Sequence, residues 1–135
     1  MSSPSSKRAQ ADPETARYRE KCASLLTISP NIRYVGIMNA FGRTMAGALR
    51  KGVTPLLKPE EARNEYFVEA MRSQLRKNFE RSIGRTEYTF TENEKVKILS
   101  LSTDENFYYI TIDKEASPAE VNKIIESAKK TIRGR

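Results

Sequence analysis

Residues 32–49 read IRYVGIMNAFGRTMAGAL, and the fold turns on how this stretch is read. Ile32 to Asn39 is β-branched and aromatic, the composition of a buried strand. Asn39, Ala40, Phe41 and Gly42 supply a turn, with Gly42 free to take a positive φ. Arg43 to Leu49 reads as a second strand, so the pair forms a hairpin. Gly47 weakens that strand and marks a bulge or a close backbone approach. Arg50, Lys51 and Gly52 close the unit.

Upstream, residues 1–11 are Ser-rich and polar and are expected to be a disordered tail. Asp12, Pro13 and Glu14 make a helix start: Asp at the cap, Pro at the first helical position, Glu in the first turn. Tyr18, Cys22, Leu25 and Leu26 then share one helical face up to about Thr27. Downstream, Thr54-Pro55 or Lys58-Pro59 opens the longest helix. Phe67, Met71, Leu75, Phe79 and Ile83 recur on it at four-residue spacing, and Gly84 stops it. Glu60 and Glu61 in the first turn and Arg81 and Arg85 near the end suit the helix dipole.

Three strands follow, over 85–92, 95–101 and 107–112. Ser117 to Glu120 then reads as a capping box ahead of a final helix bearing Val121, Ile124, Ile125, Ala128 and Ile132 on one face. The last basic residues run to Arg135. The order α-β-β-α-β-β-β-α predicts an α+β domain over 12–132, with a five-stranded antiparallel sheet packed with helices.

Composition narrows the chemistry. The chain has 135 residues, 24 Lys and Arg against 17 Asp and Glu, and no histidine. The missing histidine removes the commonest general acid–base and every Ser-His or Cys-His nucleophile pair. A zinc site would need the single Cys22 plus carboxylates. GRTMAG, residues 42–47, lacks the Lys-Ser/Thr ending of a phosphate loop. No enzyme, cofactor or metal is expected. One cysteine permits no intrachain disulfide, no apolar run approaches the roughly 20 residues that span a bilayer, and residues 1–11 lack a signal-peptide core, so the expected compartment is the cytoplasm. Cys22 reads as a packed thiol.

The hairpin from Val35 to Ala46, the GRTEYTF run at 84–90 and the strand 107–112 before a helix resemble the roadblock / dynein light-chain family, within the roadblock, longin and profilin-like folds. The chain also looks like small archaeal proteins of this architecture. The resemblance implies a homodimer joined through the long central helix and a neighbouring strand. It also implies a scaffold or regulator of small GTPases with no catalysis of its own.

Two sets of residues are candidates for contact. Phe67, Met71, Leu75 and Phe79 are expected to pack on the sheet, while the drift of a four-residue repeat on a 3.6-residue helix turns Tyr66 and Ile83 toward a partner subunit. Together these six form the candidate partner or dimer stripe. Arg72, Arg76, Lys77 and Arg81 on the same helix, with Arg43, Arg50 and Lys51 at the hairpin, are candidate anion or nucleic-acid contacts, in keeping with net charge +7. The leading expectation is a homodimeric module docking a partner protein such as a small GTPase. The alternatives are a basic nucleic-acid-binding protein, ribosome- or chromatin-associated, and a small-ligand sensor.

Overall fold

A computed structural model describes residues 13–134. The expected tail at 1–11, the Asp12 cap and Arg135 lie outside the described residues. The elements are α1 (Pro13–Leu26), β1 (Ile32–Asn39), β2 (Thr44–Leu49), α2 (Pro59–Arg76), a 3-10 turn (Lys77–Phe79), α3 (Glu80–Ile83), β3 (Thr89–Glu92), β4 (Val96–Ser102), β5 (Asn106–Asp113) and α4 (Pro118–Arg133). The order is the expected one. The long helix starts at Pro59, where Glu61 accepts a hydrogen bond from the Lys58 N–H at 2.9 Å. It tightens at Lys77–Phe79 instead of running straight to Ile83.

The five strands form one antiparallel sheet in the order β2-β1-β5-β4-β3. Side chains alternate between its faces. Val35, Ile37, Leu99, Leu101, Tyr108, Ile110 and Ile112 point to the face covered by α1 and α4. There they meet Cys22, Leu25, Val121, Ile124, Ile125 and Ala128 in the main core. Burial pushes the Cys22 thiol up to about 11, which keeps it protonated and inert.

Ser117 caps α4, accepting from the Glu120 N–H at 3.1 Å. The expected capping box is only half made. The Glu120 carboxylate does not return to the cap; it accepts from Ser29 and, at 2.9 Å, from the Asn31 amide. Those bonds hold it below the usual carboxylate range and clamp the α1–β1 loop onto α4.

Arg50 is equally structural. Its guanidinium donates to the carbonyls of Ile32 (2.6 Å), Leu26 (2.5 Å) and Ser29 (2.8 Å), tying the end of α1 to the sheet. Three backbone acceptors occupy its fork, so the expectation of an anion contact at Arg50 is corrected.

Candidate interaction surface

The opposite face of the sheet carries Tyr34, Gly36, Met38, Gly47, Ile98, Phe107 and Tyr109, and α2 lies over it. Gly36 and Gly47 are directly paired. The Tyr34 side chain lies across both: a Cβ on Gly36 would come 2.7 Å from its hydroxyl, and one on Gly47 would overlap it. The bare strip is thus filled by the Tyr34 ring and, over Gly36, by the Met38 methyl, 2.6 Å from where a Cβ would sit. Tyr66 of α2 packs edge-on against Tyr109, ring centres 5.0 Å apart. The Tyr109 hydroxyl donates to Glu65 at 2.8 Å, and burial and that bond both push its pKa far up.

The side of α2 that meets the sheet is therefore mixed. Ala70 is buried, and so is Glu69, which pairs with Arg72 at 3.2 Å. Burial lifts the Glu69 carboxyl above its usual range, and Arg72 only partly offsets this. Ser73 reaches Ser102 at 3.0 Å. Between the first half of α2, the 50–58 segment and the sheet, a cavity of about 870 Å3 remains, lined by Leu49, Val53, Leu57, Tyr34 and Tyr109 among others.

The apolar stripe faces the other way. Phe67 is 55% exposed, Leu75 62%, Phe79 50% and Ile83 69%, with Met71 and Val68 exposed beside them. The expectation that Phe67, Met71, Leu75 and Phe79 pack on the sheet is corrected. Periodicity gave the stripe but not its direction, and the polar-and-tyrosine stripe one side over is the one that fits the sheet's own tyrosines. Tyr66, expected to turn outward, is half-buried against Tyr109.

The hairpin turn extends this surface. The Asn39 side chain accepts from the Phe41 and Arg43 N–H groups at 2.9 and 3.0 Å and fixes the turn. Gly42 at φ 86° sits so close to α2 that a Cβ would come 2.7 Å from the Tyr66 carbonyl oxygen. Its neighbour Phe41 is consequently held near this turn of α2, 81% exposed.

Of the cations expected to meet an anion, Arg43 and Lys51 are exposed at the two ends of β2, Arg81 is exposed on α3, and Arg72 pairs with Glu69. Arg76 stacks over Phe79 at 5.1 Å, and Lys77 follows it. Among the described residues no three Cys, Asp or Glu side chains are grouped to hold a metal ion, and no helix is long and apolar enough to cross a membrane.

A five-stranded antiparallel sheet with two helices on one face and one long helix on the other is a roadblock-like fold. The gliding protein MglB of Thermus thermophilus superposes with a TM-score of 0.71 at 13% identity, covering 90% of this chain and 89% of that one. An MglB with tetrameric arrangement gives 0.71 at 14%, covering 90% and 88%. A Roadblock/LC7 domain from Streptomyces avermitilis gives 0.63 at 12%, covering 86% and 94%. The chain belongs to DUF6659, a family of unknown function whose model matches residues 12–132. A comparison with curated proteins found no match.

Proposed function

We propose that this chain is a non-catalytic interaction module that pairs with a second copy of itself through the outward face of α2, and that the pair docks a partner protein of the small-GTPase class. One observation carries the reading: from Phe67 to Ile83, α2 and its extension turn an apolar stripe about 25 Å long to solvent. A contiguous apolar surface of that kind marks an interface. Phe41 lengthens it at one end. The fold supports it too, since one MglB of this fold is described in a tetrameric arrangement. The partner class rests on the roadblock resemblance.

Light scattering of the pure chain tests the pairing. The expected mass is twice 15.4 kDa, and Leu75→Asp is expected to halve it without unfolding the monomer, because Leu75 touches solvent in the isolated chain. A wild-type monomer at high micromolar concentration would remove the self-pairing. For the partner class, immobilised dimer is offered purified small GTPases loaded with GDP or GTP; retention of neither form sinks that part. Labelled RNA and duplex DNA at two salt concentrations decide the nucleic-acid alternative, which predicts steeply salt-dependent binding.

A further inference from the structure

A second opening, of about 500 Å3, lies at the other end of α2, between its Arg72–Lys77 flank, the 85–89 segment and the end of α4. Five cationic side chains from three separate parts of the chain line it: Arg72, Arg76, Lys77, Arg85 and Arg133. Hydroxyls of Ser73, Ser100, Ser102 and Thr103 line it as well.

Carboxylates are present, but most are engaged. Glu69 pairs with Arg72 at 3.2 Å, Asp104 with Arg85 at 2.8 Å, and Glu87 with Lys129 at 3.0 Å; Glu80 completes the set. Among the described residues, Arg76, Lys77 and Arg133 make no ion pair. Arg133 donates to two backbone carbonyls instead, of Glu87 at 2.6 Å and Ser102 at 3.5 Å. Those bonds fix the guanidinium at the groove, where the Glu87 carboxylate offsets only part of its charge.

We infer that this groove is a binding site for a small phosphorylated molecule, with its phosphoryl oxygens held by Arg76, Lys77 and Arg133 over the Ser73–Ser102 hydroxyls. Two guanidinium forks, an ammonium and short hydroxyl donors are the groups that phosphate oxygens take. The volume falls within the range of small-ligand sites. Tyr88, 41% exposed at the wall, offers a flat surface to an attached organic group such as a nucleotide base. The site lies on the flank of α2, and Arg76 at its edge also stacks over Phe79 of the outward stripe at 5.1 Å.

Calorimetric titration of the full chain with inorganic pyrophosphate and, separately, with ATP tests it. Both are expected to bind, and tighter binding of ATP would place the organic group on Tyr88. The double variant Arg76→Ala/Lys77→Ala removes exposed side chains and is expected to fold normally, checked by circular dichroism, while weakening either ligand by about tenfold or more. The control Arg43→Ala/Lys51→Ala removes the same charge elsewhere and is expected to bind as wild type. Absence of binding at millimolar ligand overturns the site. So does unchanged affinity in the Arg76/Lys77 variant, and so does an equal loss in the control, which would mean diffuse attraction to a basic protein.

Discussion

On one face of the sheet, α1 and α4 press Leu25, Ile124, Ile125 and Ala128 onto Ile37, Leu99 and Ile110, and the layer is mostly apolar, with the buried Lys97 donating to the Ala116 carbonyl at its edge. On the other, α2 sets Glu65 and Tyr66 against Tyr109 and Ser73 against Ser102, beside a smaller cluster of Met38, Ala70, Ile98 and Phe107, and leaves a cavity. Phe67 and Leu75 of α2, and Phe79 beyond it, look outward. The first face holds the fold together. On the second, α2 adds Ala70 and part of Tyr66 to that smaller cluster, and its apolar stripe stays exposed.

The contrast predicts unequal costs. Ile124→Ala, at a fully buried site, is expected to lower unfolding free energy by about 2–5 kcal/mol in a denaturant titration. Leu75→Ala on the outward stripe is expected to change the monomer's stability by about 0.5 kcal/mol or less, measured at a dilution where the chain is monomeric; a cost like that of Ile124 would erase the distinction. Between them stands Gly42→Ala. It forces a side chain into a positive φ and against the Tyr66 carbonyl, and is expected to cost about 1–3 kcal/mol and to free the hairpin turn from α2, seen as faster amide exchange at 40–43. Tyr109→Phe removes the hydroxyl bonded to Glu65 and is expected to cost about 1 kcal/mol.

Acid separates the faces by sign. Glu120 is held below its unfolded pKa by Ser29 and Asn31, so its contribution is present at neutral pH and is lost as pH falls through the carboxylate range. Glu69 is held above its unfolded pKa by burial, so it opposes folding at neutral pH and that opposition fades on acidification. Glu120→Gln is therefore expected to flatten the acid loss of stability, and Glu69→Gln to raise stability at pH 7 relative to pH 4. The same sign for both variants would break the comparison.

The sequence disclosed the order of elements because each carries a local signal. β1 runs over Ile32–Asn39 as its β-branched composition requires, and α4 begins behind Ser117 and Pro118 as its cap requires. The apolar repeat of α2 was equally legible. Its orientation was not, because periodicity locates a face and says nothing of what lies opposite; the tyrosines that accept α2's polar side come from β1 and β5, far off in sequence. Arg50 misled for a related reason. A cation beside a hairpin reads as surface charge until the carbonyls of Leu26, Ser29 and Ile32 are seen around it. Arg133 of the cationic groove sat in a basic tail with no local sign of its partners, the carbonyls of Glu87 and Ser102.

Tyr34 laid across Gly36 and Gly47 has an evolutionary consequence. The Tyr34 ring and the Met38 methyl occupy the space over Gly36, and the ring alone that over Gly47, so these positions are not free to vary singly. A descendant that gains a methyl at Gly47 must move the tyrosine, and one that gains it at Gly36 must move the methionine as well. One that sheds the tyrosine opens a gap that larger residues at the glycines can fill. Across the family these positions should therefore change together, as a linked set spanning two strands.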